Sequence, residues 1–201
     1  MYSFIFDVDG TLIDSYDGIT KTCSNVLSKY NYKMNNLREY ILDTSVLDLF
    51  RYVSNDLNVD VETLFEEYKK ERRITQYDYK PMKNMVDTIN YLYSKNYKLF
   101  IYTHKGNSIN QIVKDLNIDN DFIEIISSDS TNFKRKPNPD CINYLVDKYN
   151  LDRNNTFYVG DRKIDIECAN NANIKSILFN NKKDIASNYK INDFKELNDM
   201  F

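Results

Sequence analysis

Five short, largely apolar runs spaced by amphipathic stretches constrain this chain more than any other feature. They cover residues 2–8, 98–103, 122–127, 156–160 and 174–179. Apolar side chains follow one another in these runs instead of alternating with polar ones, the pattern of strands covered on both faces of a parallel sheet. The stretches between them read as helices. Residues 82–94 place Met85, Ile89 and Leu92 on one helical face, and 107–116, 138–149, 164–170 and the terminal 193–201 follow. Strand alternating with helix predicts an α/β domain, a Rossmann-like core on a parallel sheet.

Residues 15–78 break the alternation. They contain no convincing strand and show three or four helical patterns. Ile19, Cys23, Val26 and Leu27 share one face over 16–30. Val46, Leu49, Phe50 and Val53 do so over 45–57, and Leu64, Phe65 and Tyr68 over 61–74. The expected organisation is a Rossmann-like core of residues 1–14 and 79–201, with a small all-helical cap domain, 15–78, inserted after the first strand over the sheet's carboxyl edge. A length of 201 residues suits one domain with an insertion.

Composition removes several classes. With 27 basic against 30 acidic side chains and 42% hydrophobic residues, the chain is neither a disordered polyelectrolyte nor a basic nucleic-acid binder. No apolar run reaches the roughly 18 residues of a membrane span. Met1-Tyr2-Ser3 carries no basic leader, so neither a signal peptide nor a membrane association is expected. Cys23, Cys141 and Cys168 are odd in number and scattered, which fits a reduced, cytoplasmic protein. With one histidine, His104, a His-rich metal site is excluded.

The ends of the runs carry the chemistry. The first closes on Asp7-Val8-Asp9-Gly10-Thr11. Two carboxylates that close repel unless a cation or proton lies between them, and a hard divalent ion such as Mg²⁺ resolves the conflict. The second run ends on Thr103, followed by His104-Lys105-Gly106, a hydroxyl and turn amides suited to a phosphate oxygen. The loop after the third contains Lys136-Pro137-Asn138-Pro139. Asn138 is expected as the N-cap and Pro139 as the first residue of a helix, which puts Lys136 just before a helix N-terminus, favourable for an anion. The fourth ends in Gly160-Asp161, with Asp165 one turn later. Asp7, Asp9, Thr103, Lys136, Asp161 and Asp165 therefore converge where open α/β sheets bind ligands. An acidic cation site beside a hydroxyl and an ammonium suits a metal-bound phosphate.

These four motifs resemble those of the haloacid dehalogenase superfamily, in its phosphoglycolate-phosphatase-like branch with a helical cap, over essentially the whole chain. Asp7 through Ser15 is similar to the first motif, Thr103 to the second, Lys136 to the third, and Gly160-Asp161-Arg162-Lys163-Ile164-Asp165 to the fourth. The resemblance implies Asp7 as a nucleophile forming an aspartyl-phosphate and Asp9 as general acid and base. It implies Mg²⁺ on Asp7, the Asp9 carbonyl and Asp161, with Asp165 assisting, and phosphoryl oxygens bound by Thr103 and Lys136. Gly10, Thr11 and His104 join the expected phosphate-binding set. Relatives that displace halide lack an Asp at the position of Asp9, so its presence favours phosphate-ester hydrolysis of a small phosphorylated metabolite.

Where relatives often carry Asn after the second-motif Thr, this chain has His104, either a turn residue or a substrate contact. Lys69, Lys70, Arg72 and Arg73 read as a solvated helix face. The alternatives are a phosphosugar mutase of the β-phosphoglucomutase type and a catalytically silent phosphate-binding protein. A phospho-signalling receiver would instead carry its acceptor Asp after the third strand. Monomer and homodimer both stay open.

Overall fold

The computed structural model describes residues 1–75, 79–129, 133–179 and 184–201. The chain divides into two compact units, Met1–Ile13 with Pro81–Phe201, and Asp14–Lys80. Residues 76–78, the last of the expected insertion, lie outside the described residues.

The chain enters on β1 (Ser3–Phe6) and passes through β2 (Ile13–Asp14) into four helices, α1 (Tyr16–Ser28), α2 (Leu37–Asp43), α3 (Val46–Leu57) and α4 (Val61–Thr75). It returns on β3 (Lys80–Pro81), which pairs with β2 in a two-stranded sheet. Strands β4 (Lys98–Tyr102), β5 (Glu124–Ile126), β6 (Thr156–Gly160), β7 (Lys175–Phe179) and β8 (Tyr189–Ile191) complete the first unit. They are interleaved with α5 (Met85–Ser94), α6 (Ser108–Asp115), α7 (Asp140–Tyr149), α8 (Lys163–Asn171) and α9 (Glu196–Met200).

The Rossmann-like sheet is present, in the order β5-β4-β1-β6-β7-β8 and parallel throughout. The chain builds outward from β1 to β5, then crosses back to β6 and builds the other way. The reversal falls between β1 and β6, the topological switch point at which such sheets bind ligands.

All four residues of β1 are buried. Phe4 and Phe6 stack on each other on one face, with Phe201 edge-on to Phe4 and Phe194 stacked on Phe6. Ile5 points to the other face, into a cluster with Phe100, Ile126, Cys141, Leu145 and Cys168. Burying each such side chain contributes about 1.5–3 kcal/mol, which explains why the central runs show no polar alternation. β8 is the departure from the five expected strands. Tyr189 and Lys190 are exposed and only Ile191 is buried, so this edge strand leaves no apolar run to read.

The second unit has its own core. Cys23, Val26 and Leu27 of α1 meet Leu49, Phe50 and Val53 of α3 and Leu64 of α4, with Leu37 and Ile41 of the short α2 beside them. Arg72 departs from the expected solvated face: it is partly buried, and its Nη1 donates to the carbonyl and hydroxyl of Thr75. Lys69, Lys70 and Arg73 are exposed. The cysteines are buried, free thiols. Among the described residues no helix is long and apolar enough to cross a membrane.

Asparagine takes the left-handed position at several helix ends. Asn31, Asn58, Asn96, Asn117, Asn150 and Asn173 all follow helices with φ between 49° and 60°. Asn tolerates this left-handed conformation better than other residues with a Cβ.

Candidate active site

Three of the chemistry-bearing residues directly follow strands. Asp7 follows β1, and its N–H donates to Val159 O at 2.9 Å; Thr103 follows β4, and its N–H donates to Ile126 O at 3.0 Å. Asp161 follows β6 directly. After Asp7 the chain turns back on itself, with Gly10 at φ 85°, where a Cβ would be strained. The turn is closed by Gly10 N–H on Ile13 O and by Thr11 N–H on Val8 O. This turn buries Thr11, whose hydroxyl donates to Asp161 Oδ1 at 3.2 Å.

At the centre lies the Lys136 ammonium. It sits 2.9 Å from Asp7 Oδ1 and 2.6 Å from Asp165 Oδ1, and donates to the Tyr158 hydroxyl at 2.9 Å. Tyr158 in turn donates to Tyr102 O at 2.8 Å, so its proton is committed. Burial and the nearby carboxylates hold its pKa well above the ordinary phenol value.

Carboxylate oxygens of Asp7, Asp161 and Asp165 all lie within 4.8 Å of one another, and all three residues are buried. Lys136 thus pairs with two of these three buried carboxylates, Asp7 and Asp165. Burial opposes the charge on Lys136, but Asp165 and Asp7 outweigh it and hold its pKa above the ordinary lysine value. Burial pushes the Asp7 carboxyl up, to about 6, against the pull of Lys136 and with the repulsion of Asp165. Three carboxylates this close, an all-oxygen donor set, fit a hard divalent cation. Both Asp165 oxygens are engaged: Oδ1 by Lys136, Oδ2 by the Arg162 N–H at 3.1 Å. That leaves Asp165 better placed to orient its neighbours than to ligate.

Gly160 makes this packing possible. A Cβ there would fall 2.4 Å from Asp165 Cβ and 2.5 Å from its Cγ. Gly160→Ala should therefore displace Asp165, and with it Lys136. The expected loss of kcat/KM is roughly 100-fold, measured beside thermal unfolding. Wild-type activity in this variant would show that the close approach has no bearing on the site.

Asp7, Thr11, Lys136, Asp161 and Asp165 form one connected cluster. Asp9, partly exposed, pairs its Oδ1 with Lys105 Nζ at 2.9 Å. Thr103 is buried, and its hydroxyl accepts from the Lys105 N–H at 3.0 Å. The His104 side chain turns to the backbone, with Nε2 accepting from the Lys136 N–H at 3.0 Å. Helix α7 begins at Asp140, one residue later than expected, with Pro139 as its N-cap. Asn138 still contributes through its side-chain oxygen, which accepts from the Asp140 N–H at 3.0 Å.

The sequence reading missed Lys105 and Tyr158. Lys105 follows two expected site residues but looks like a surface cation. Tyr158 was legible in principle, because it lies two residues before Gly160 on the same face of β6.

A family model of haloacid dehalogenase-like hydrolases matches residues 4–179. A phosphoglycolate phosphatase of Aliivibrio fischeri is 26% identical over 186 residues, covering 85% of this chain and 80% of the relative. The pyrophosphatase PpaX of Listeria innocua is 28% identical over 177 residues, covering 85% and 79%. Among solved structures, a haloacid dehalogenase-like family hydrolase of Streptococcus pneumoniae shares the fold with a TM-score of 0.87 at 20% identity, over 100% of this chain and 98% of that one. With four strand-end motifs gathered at the switch point of the sheet and a family match across most of its length, the chain belongs to the haloacid dehalogenase-like hydrolases.

Proposed function

We propose that the protein is a Mg²⁺-dependent phosphatase that hydrolyses a small phosphorylated metabolite through a phosphorylated Asp7. The observation that carries this reading is the buried set Asp7, Asp161 and Asp165, with the Lys136 ammonium on Asp7 and Asp165, at the switch point of the sheet. Phosphoryl transfer needs positioned groups and charge neutralisation more than it needs reactive side chains.

Asp7 and Asp161, with the Asp9 carbonyl, would hold the cation, and Asp165 would fix Lys136. When bound, the cation offsets the repulsion between the phosphate and these carboxylates. An Asp7 oxygen forms the bond to phosphorus while the bond to the leaving oxygen breaks, and Asp9 delivers its proton to that oxygen. In the second half Asp9, now a carboxylate, takes a proton from water. The water oxygen bonds to phosphorus and the Asp7 carboxylate departs. Lys136 and the Thr103 hydroxyl bind the oxygens of the transferring group. The helical unit Asp14–Lys80 is proposed as the cap that selects the substrate.

The test is hydrolysis of a panel of phosphate esters, with phosphoglycolate and inorganic pyrophosphate included because relatives carry those names. Within the panel, Asp9→Asn should cost an alkyl phosphate roughly 10²–10⁴-fold and p-nitrophenyl phosphate clearly less, since its leaving group needs little proton assistance. Equal losses on both would remove Asp9 as the proton donor, and a panel with no turnover at all would sink the phosphatase reading.

Mg²⁺ should raise the melting temperature, and its effect should depend on pH with a definite sign. Asp7 takes up its proton more readily folded than unfolded. Its contribution to the metal-free protein is therefore favourable below the unfolded value near 3.9 and is lost as pH rises through about 6. Mg²⁺ competes with that proton, so the thermal shift should be larger at pH 7.5 than at pH 5. A shift that is absent, or larger at pH 5, would contradict the carboxylate site.

A further inference from the structure

We infer that His104 is a positioning residue, whose imidazole Nε2 holds the backbone of Lys136 and so fixes the ammonium relative to Thr103. This rests on the reading of Lys136 as a phosphoryl-binding group.

The segment around Lys136 is tied down on both sides of the residue. Tyr102 Oη donates to Lys134 O at 3.3 Å, Asn171 Nδ2 to Pro137 O at 2.9 Å, and Cys168 Sγ to Asn138 O at 3.2 Å. These ties grip the carbonyls of neighbouring residues. At Lys136 itself the peptide N–H is held, and its partner is His104 Nε2 at 3.0 Å. His104 adjoins Thr103 in sequence, so this one bond couples two groups expected on the same phosphoryl oxygens. Its ring also packs edge-on against Tyr102, with centroids 6.2 Å apart.

A nitrogen that accepts cannot carry a proton, so the ring must be neutral with its hydrogen on Nδ1. The surroundings enforce that state. Burial disfavours the imidazolium, and Lys136, Arg135 and Arg162 oppose it by charge, which together push the pKa down to about 2. The bond is thereby insulated from pH across the range in which an ordinary histidine titrates.

The chain has a single histidine, so its ring can be observed without ambiguity. Long-range ¹H–¹⁵N spectra of the wild-type protein from pH 8 to pH 5 should show the neutral Nδ1–H tautomer throughout. An Nε2–H tautomer, or titration near the ordinary value of about 6.5, would overturn the inference.

The functional arm compares His104→Gln, whose side-chain carbonyl can take the place of the accepting nitrogen, with His104→Phe, which keeps a ring and removes the acceptor. On p-nitrophenyl phosphate, Phe should lose roughly 10- to 100-fold in kcat/KM, the scale of a small misplacement of a catalytic group, and Gln should recover most of it. Equal impairment of the two variants at wild-type melting temperatures, or an unimpaired Phe variant, would overturn the positioning role. Should the wild-type protein hydrolyse no ester, the phosphatase reading fails on its own. The dissociation constant for inorganic phosphate then replaces turnover, with the same ordering of variants expected, while the tautomer test stands unchanged.

Discussion

Asp7→Asn should abolish phosphatase turnover, by about 10⁴-fold or more, the scale seen when a nucleophile is removed from a hydrolase. The substitution should leave the fold in place. The amide is nearly isosteric with the carboxylate but cannot form the covalent bond to phosphorus on which the proposed route depends. Stability should change little because Lys136 is not orphaned. Its ammonium keeps Asp165 at 2.6 Å and Tyr158 at 2.9 Å. Losing the Asp7 ion pair is offset in part by losing the repulsion between Asp7 and Asp165, which already pushes the Asp7 carboxyl up. The measurements are kcat on p-nitrophenyl phosphate, acid-quench trapping of phosphorylated protein, and the melting temperature. Retention of most wild-type turnover, or a trapped phosphoprotein in the Asn variant, would rule out Asp7 as the nucleophile.

The strand ends were legible because burial on both faces keeps the strand interiors apolar, so a polar group stands out where such a strand stops. Asp7, Thr103 and Asp161 stand out for that reason. β8 was hidden by the opposite circumstance, since an edge strand with Tyr189 and Lys190 exposed carries no such contrast. Helix α2 is seven residues long, too short for its Leu37 and Ile41 to establish a period. Pairwise contacts between distant residues were out of reach: no spacing rule joins Lys105 to Asp9, or His104 to Lys136. Asn138 shows how a local rule can hold in chemistry and miss in boundary. Its side chain caps the Asp140 N–H as expected, while the helix starts one residue later. The close approach at Gly160, where the gap to Asp165 excludes a Cβ, lies beyond local spacing rules, and so do the helix ends at which asparagine takes the left-handed position.

Lys136→Met should injure activity and stability together, and Mg²⁺ should separate the two. The replacement leaves Asp7 and Asp165 buried without their shared ammonium. Removing one partner of a buried ion pair costs about 3–5 kcal/mol. That cost should vary with pH. In the wild-type protein the folded pKa of Lys136 is raised, so its contribution is complete below the unfolded value near 10.4 and is lost only as pH rises through the higher folded value. Between pH 5 and pH 8 the lysine contribution is therefore constant, and any change in the deficit comes from the carboxylates. Deprived of their ammonium, they bind protons more tightly when folded than when unfolded, so the variant should be least stable at pH 8 and recover toward pH 5. Saturating Mg²⁺ should restore part of the melting temperature at pH 8, because it supplies the missing positive charge among the same oxygens. Activity should not return with it. The ammonium proposed to bind the transferring group is gone, and loss of one preorganised donor costs roughly 10²–10³-fold in kcat. That loss should fall on every phosphate ester alike, since all share the phosphoryl group. Melting curves at pH 5 and pH 8, with and without Mg²⁺, and kcat/KM on several esters provide the test. A Met variant as stable as wild type in metal-free buffer at pH 8 would mean that Lys136 does not balance the carboxylates, and one that spares some esters would mean that it does not bind the phosphoryl group.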